Sequence, residues 1–192
     1  MKLLKKDKTE KTMVKSEKIQ DEENTLLSVF DISIEHPRNW KIIFSPKTPP
    51  DYNSGFIRLE NFIPRKGAEV SVSINWCKAD STNEGFALSY CEKIKDEYKK
   101  HMKKKPYTLE KAEMIEFRNG KAAYVVTEYK AGLGLMKRSG DIPVKTIQLA
   151  FYDESTNRAV VSSVLGIPEL VKDREDFLKS LVFSVNSVKY SV

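Results

Sequence analysis

The fold is decided by residues 107–130, which read YTLEKAEMIEFRNGKAAYVVTEYK. Two strand-like runs flank Asn119-Gly120, and this dipeptide favours a hairpin because both central residues of a type I′ turn need positive φ. The segment therefore predicts a strand over 107–117 and a returning strand over 121–130. A second hairpin is predicted from 144–153 to 158–165.

Residues 69–76 alternate strictly between apolar and polar side chains, which predicts another strand of an antiparallel sheet. The apolar set is Val70, Val72, Ile74 and Trp76, and the polar set is Ser71, Ser73 and Asn75. Together with Thr146 and Gln148, the polar set is either an open docking surface or the floor beneath a polar helix contact. The sequence alone leaves both alternatives open.

Three further strands are predicted closer to the N-terminus. Residues 29–34 put Phe30, Ile32 and Ile34 on one face of a single half-buried strand, which His36-Pro37 ends because proline cannot donate to a ladder. Residues 40–44 and 55–63 are the next two strands. The proline-rich stretch between them is a loop.

Two helices complete the pattern. The first has capping-box spacing from Ser81 to Glu84, and Pro106 ends it. Its apolar positions recur every three or four residues: Ala87, Cys91, Ile94, Tyr98 and Met102. A terminal helix begins near Asp173 and buries Phe177, Leu178 and Leu181. The predicted fold class is α+β, with helices packed as a layered sandwich on a mostly antiparallel sheet.

Composition fits one folded domain with a tail. The 192 residues are 40% hydrophobic and 31% charged, with a net charge of +6. Residues 1–24 predict a flexible, basic N-terminal tail, and residues 25–192 predict a single domain. Two cysteines exclude a disulfide scaffold. With neither a long apolar run nor a secretory signal, we expect a cytoplasmic protein with reduced thiols and no transmembrane segment.

Several motifs in this order resemble the PsbP-like family. They are HPRNW at 36–40, EVSVSINW at 69–76, the hairpin at 107–129 and FLKSLVFS at 177–184. The family includes the extrinsic photosystem II protein and a yeast Ran-binding nuclear import factor, and the resemblance covers about residues 26–184. It implies an α/β/α sandwich around an antiparallel sheet. It also implies a scaffold or protein-binding module rather than an enzyme.

No pattern for catalysis, metal binding or a cofactor is found in the sequence. The soft metal ligands are His36, Cys77, Cys91 and His101, and no two of them have the spacing of a zinc site. The sequence contains neither a G-x-S-x-G elbow nor a Walker A motif. We therefore predict no catalytic residue, no metal site and no cofactor.

The favoured function is binding of another protein, whose identity the sequence does not reveal. Candidate contacts in the turn at 38–40 are Arg38 and Trp40, although Trp40 also fits a core position. Candidates in the long connection at 132–140, where apolar anchors carry a basic rim, are Leu135, Met136, Lys137 and Arg138.

Two alternatives remain open. The first is electrostatic binding of nucleic acid or an anionic membrane surface through Lys-rich segments. Its residues are Lys99, Lys100, Lys103, Lys104 and Lys105, with residues 1–18. Lysine far outnumbers arginine, which disfavours sequence-specific recognition of bases. The second alternative is an enzyme or small-molecule carrier with a pocket between sheet and helix.

Overall fold

The computed structural model describes residues 24–45, 48–63, 67–101, 107–117, 120–131, 142–168 and 171. These residues form nine strands and one long α-helix. The strands are β1 (Asn24–Val29), β2 (Ile32–Pro37), β3 (Lys41–Phe44), β4 (Ser54–Ile63), β5 (Gly67–Lys78), β6 (Tyr107–Phe117), β7 (Gly120–Ala131), β8 (Ile142–Asp153) and β9 (Arg158–Gly166). The helix α1 (Asn83–His101) lies between β5 and β6.

Seven of the strands form one antiparallel sheet in the order β3-β4-β5-β9-β8-β7-β6, and β1 pairs with β2 in a separate hairpin. Phe117 lies opposite Gly120 in the β6–β7 pair, which confirms the predicted hairpin. Asp153 lies opposite Arg158 in the β8–β9 pair, which confirms the second one. The α+β class and the antiparallel sheet are therefore confirmed.

Alternation along the strands produces two different faces. One face carries the main core: Ile57, Leu59, Val70, Val72, Ile74, Trp76, Ala122, Tyr124, Val126, Ile147, Leu149, Phe151, Val160 and Val164. The β1–β2 hairpin packs on this face through Ile32 and Ile34. On the other face α1 packs against β6, β7 and β8. The predicted terminal helix lies outside the described residues, so the full sandwich stays a prediction.

The single strand predicted over 29–34 is wrong. The chain instead turns at Phe30 and Asp31, which have φ values of 50° and 63°, and β1 and β2 lie on either side of this turn. Asp is enriched at positive φ among non-glycine residues, whereas an aromatic residue such as Phe30 is an uncommon choice. Tertiary contacts hold the turn, because the Phe30 ring packs 6.2 Å from the Trp76 ring.

The start of α1 differs by one residue from the prediction. Thr82, rather than Ser81, caps the helix: its Oγ1 accepts a hydrogen bond from the Gly85 N–H at 3.1 Å, and its carbonyl accepts one from Phe86 N–H at 2.9 Å. The predicted apolar stripe is confirmed where it is described. Ala87 and Cys91 are fully buried against the sheet.

A buried arginine, which the sequence analysis did not single out, joins three segments. The Arg158 side chain is 1% exposed, and its Nη1 donates hydrogen bonds to Phe30 O at 2.8 Å and to Tyr52 O at 3.2 Å. The guanidinium also lies 4.5 Å from the centre of the Tyr52 ring. Arg158 therefore ties the β1–β2 turn and the β3–β4 loop to the first residue of β9.

Asp153, opposite Arg158, should make stability depend on pH. Burial alone would raise its pKa, but hydrogen bonds from Ser155 and Thr156 and the charge of Arg158 give a net lowering below 3.8. Since the folded pKa lies below the unfolded one, the stabilisation is complete above about pH 4 and is lost as pH falls through the folded pKa. We expect Asp153→Asn to weaken the fall in urea midpoint between pH 5 and pH 3. Asp80→Asn, at an exposed carboxylate of the same sheet end, is the matched control and should retain the wild-type slope.

Gly55 is required by the close approach of Trp76. The two residues lie opposite each other in β4 and β5, and a Cβ at position 55 would overlap the Trp76 indole. The indole cannot retreat freely, because its Nε1 donates a hydrogen bond to Asp51 O at 2.9 Å. We expect Gly55→Ala to destabilise the fold by about 2 kcal/mol in urea unfolding. Ser54→Ala, at the exposed neighbouring position, should change stability by less than about 0.5 kcal/mol.

Candidate functional site

The connections between elements divide into two groups at the two ends of the seven-stranded sheet. One end carries the turn at 38–40 and the attachment points of three connections: β4–β5, α1–β6 and β7–β8. The strand pairing places them there, since Ile63 pairs with Gly67, Tyr107 with Tyr129 and Ala131 with Ile142. We call this the basic end. The opposite end carries the β3–β4, β5–α1, β6–β7 and β8–β9 connections.

Charge is distributed unequally between these two groups of connections. In the sequence, the connections of the basic end contain eight cations: Arg38, Arg65, Lys66, Lys103, Lys104, Lys105, Lys137 and Arg138. They contain one carboxylate, Asp141. Those of the opposite end contain two cations, Lys47 and Arg118, and three carboxylates, Asp51, Asp80 and Glu154. The connections that carry these charges are far apart in the sequence, and the described strand ends that flank them lie at one end of the sheet.

The two predicted contacts in the turn at 38–40 have different environments. Arg38 is exposed at the basic end, as a binding residue must be. Trp40 is only 6% exposed and belongs to the main core. Its indole therefore contributes to the fold, as the core position weighed for it from the sequence implies, and a contact of Trp40 with a partner stays a prediction.

The lysines predicted to bind anions are partly described. Lys99 and Lys100 are exposed on the last turn of α1, and this turn reaches the basic end because the Tyr98 ring lies 5.6 Å from the Tyr107 ring. Lys99 also pairs with Asp96 at 3.3 Å. The remaining predicted residues lie outside the described residues: Lys103, Lys104, Lys105, Leu135, Met136, Lys137 and Arg138.

Carboxylates are interspersed among the cations near the basic end. Lys145 Nζ lies 2.8 Å from Glu110 Oε2, and Arg58 Nε lies 2.9 Å from Glu60 Oε1. The first pair joins β8 to β6 across β7, and the second joins two positions on β4. The surface is consequently mixed in charge rather than uniformly cationic in the described part.

The polar sheet face is in part the floor beneath a helix contact, one of the two alternatives left open by the sequence, while the docking surface stays a prediction. Gln148 lies beneath α1, where its Oε1 accepts a hydrogen bond from the Tyr90 hydroxyl at 3.3 Å. Ser71, Ser73 and Asn75 lie on the same face of β5, whereas α1 packs mainly on β6, β7 and β8. The α1 helix therefore covers only part of this sheet face. A step remains beside α1, where the helix ends and the uncovered part of the sheet begins.

A cleft of about 640 Å³ lies along this step. Phe56 and Val161 form its floor from the sheet, while Phe86, Tyr90 and Lys93 line it from α1. Burial and the nearby Glu97 carboxylate raise the pKa of Tyr90 to about 12, so its hydroxyl stays neutral. The sequence predicts a pocket between sheet and helix only in general terms, since neither its place nor its lining follows from periodicity.

The two cysteines differ in access. Cys77 is exposed and lines the cleft. Cys91 is buried on the face of α1 that packs against the sheet, and burial raises the pKa of its thiol. Among the described residues, no three His, Cys, Asp or Glu side chains converge as a metal site would require. His36 is buried, and its Nδ1 lies 2.9 Å from Pro37 O. No helix in the described part of the chain is long and apolar enough to cross a membrane.

Comparison with known structures identifies the fold. The solution structure of the cyanobacterial PsbP protein of Synechocystis matches with a TM-score of 0.55 and 12% sequence identity, over 84% of this chain and 90% of that one. The chain has a PsbP-like fold. At this identity the match establishes the fold and leaves the function of the PsbP-like domain open.

Other comparisons add little to the PsbP-like assignment. A Pseudomonas aeruginosa protein of unknown function is 13% identical over 83% of this chain and 93% of its own, but its TM-score of 0.37 is too low to support an argument. No protein-family model matches the sequence, and no curated protein matches it either.

Proposed function

We propose that this PsbP-like domain is a non-enzymatic module that docks an acidic surface of another protein on its basic end. The proposal rests on one observation, the unequal charge of the two sheet ends. A cluster of cations at one end raises the local concentration of an acidic partner and orients its approach.

The spacing of the charged elements suits a protein partner. The turn at 38–40 leads into β3, and the 132–141 connection enters β8, four strands away in the sheet. At about 4.8 Å per strand, the start of β3 and the start of β8 are about 19 Å apart. This separation fits within a standard protein interface of about 800 Å² per partner.

The mixture of residue types also favours a protein over a polyanion. Lys145 and Lys99 are paired with carboxylates, and Leu135 and Met136 stand beside Lys137 and Arg138 in the sequence. Apolar anchors within a charged rim are typical of protein interfaces.

Electrostatic binding of nucleic acid or an anionic membrane is the second candidate. It is favoured by the exposed Lys99 and Lys100, which precede three further lysines in the sequence. For this candidate, the logarithm of the binding constant should fall linearly with the logarithm of the salt concentration. The slope is set by the number of phosphates contacted. A protein interface with apolar anchors should retain more of its affinity at high salt.

The experiment compares two charge reversals of equal size. Lys99→Glu/Lys100→Glu changes the basic end, and Lys78→Glu/Lys121→Glu makes the same net change at the opposite end. The partner is captured from native lysate after nuclease treatment and removal of membranes, identified, purified and titrated against each variant. We expect the first variant to bind at least about tenfold more weakly and the second to match the wild type.

Equal loss in the two variants would show that total charge matters rather than its place, and would contradict the proposal. Binding to a 20-nucleotide RNA or to phosphatidylserine vesicles, with no protein partner recovered, would support the second candidate instead. The cytoplasmic location predicted from the sequence stays a prediction.

A further inference from the structure

The cleft beside α1 has the size and lining of a small-molecule site. Its volume of about 640 Å³ falls within the range of about 300–1,000 Å³ that is usual for ligand pockets. Aromatic rings of Phe56, Phe86 and Tyr90 contribute to its walls, and Val161 fills part of its floor. The Phe86 and Tyr90 ring centres are 6.0 Å apart, and the rings are tilted by 39°. Such a wall can pack against a flat aromatic ligand in offset or edge-to-face geometry.

The described residues that line the cleft carry one charge, which is positive, while Glu97 lies one turn of α1 beyond Lys93 and outside the lining. Lys93 is the one charged side chain among the described residues that line it, and no ion pair occupies its ammonium group within the described part of the chain. Tyr90 adds no negative charge, because its hydroxyl remains neutral and donates to Gln148. An anionic group on a ligand would therefore find an attractive partner at the rim and no described carboxylate among the lining residues to repel it.

We propose that this cleft binds a small aromatic carboxylate, with the ring between the sheet floor and α1 and the carboxylate at Lys93. The site lies at a different place from the basic end, because the cleft includes Ser54 and Cys77, which pair with each other near the opposite end of the sheet. The proposal is thus independent of the proposed protein docking.

The exposed thiol of Cys77 provides a direct reporter of occupancy. It lines the cleft, whereas Cys91 is buried between α1 and the sheet and serves as an internal control in the same chain. The full chain is titrated with 2-naphthoate by calorimetry, and the rate of Cys77 alkylation by N-ethylmaleimide is followed by mass spectrometry. We expect one molecule bound per chain and slower alkylation of Cys77 at saturation.

Two pairs of variants place the ligand. Val161→Trp fills the floor and should abolish binding, while Ser163→Trp lies two residues along the same face of β9, outside the cleft, and should bind normally. Lys93→Gln should weaken 2-naphthoate about threefold, as expected for an exposed charge pair, and Lys95→Gln should leave binding unchanged. The neutral isostere 2-naphthamide should bind the wild type about as weakly as 2-naphthoate binds Lys93→Gln.

Three results would overturn the proposal. They are unchanged alkylation of Cys77 at saturating 2-naphthoate, equal binding by Val161→Trp and the wild type, and equal affinity for 2-naphthoate and 2-naphthamide. Should Val161→Trp fail to fold, the Lys93 and Lys95 pair and the Cys77 rates still decide the matter. Tighter binding of decanoate than of 2-naphthoate would contradict the aromatic part of the assignment.

Discussion

Replacement of Arg158 by alanine is expected to lower the free energy of unfolding by about 3–5 kcal/mol. The change leaves the carbonyls of Phe30 and Tyr52 without their donor and removes the cation from the face of the Tyr52 ring. An unpaired buried polar group costs about 1–3 kcal/mol, and the cavity left by a large buried side chain adds to this. Urea unfolding followed by circular dichroism measures the effect.

Two controls separate the role of Arg158 from a general effect of losing an arginine. Arg58→Ala removes a half-exposed cation that pairs with Glu60 on β4, and should cost less than about 1 kcal/mol. Arg158→Lys keeps the charge but not the fork-shaped donor group. Its loss of stability should lie between those of Arg58→Ala and Arg158→Ala.

The position of the damage is also predicted. Because Arg158 connects β9 to the turn between β1 and β2, amide hydrogen exchange should rise first in that hairpin. Exchange in β5 and β8, which are internal strands of the sheet, should change least. A stability within about 1 kcal/mol of the wild type in Arg158→Ala would contradict this account.

Much of the sheet could be predicted from local pattern alone. The alternation at 69–76 and the Asn-Gly dipeptide at 119–120 are properties of neighbouring residues, and β5, β6 and β7 form where these patterns place them. Alternation predicts a strand reliably when one face is buried and the other is polar. Both conditions hold along residues 70–76 of β5, whereas β7 is buried on both faces over residues 122–127 and is marked by the Asn-Gly dipeptide instead.

The β1–β2 turn was missed because its cause is not local. Phe30 and Asp31 adopt positive φ although no Gly or Asn marks the position. The Phe30 ring contacts Trp76, and its carbonyl accepts from Arg158, which is 128 residues away. The sequence does hold a weak indication that Arg158 is buried, since Arg158 occupies the inward-facing position two residues before Val160. A cation at the end of a strand is ordinarily solvated, so the pattern did not single it out.

The candidate sites depend on topology more than on motifs. Arg38, the last turn of α1 and the 132–141 connection are far apart in sequence, and only the strand order brings them to one end of the sheet. The cleft arises because α1 packs mainly on β6, β7 and β8 and meets β9 at Val161, which lines the cleft together with Phe86 and Tyr90. Neither arrangement follows from the period of a single segment.

Replacement of Trp40 by alanine is expected to cost about 3–5 kcal/mol of stability, whereas replacement of the nearby Arg38 should cost less than about 1 kcal/mol. The reason is burial: Trp40 packs in the main core and Arg38 is exposed. Binding should depend on the two positions in the opposite way, which a second pair of variants tests. At a temperature where both variants are folded, Arg38→Glu should bind the acidic partner more weakly than the wild type. Trp40→Phe, which keeps an aromatic ring in the core, should bind it with wild-type affinity. Partner titrations paired with urea unfolding on the same samples measure both properties. If Trp40→Phe lost the partner while remaining folded, the indole would have a direct role in docking, and its assignment to the core alone would be wrong.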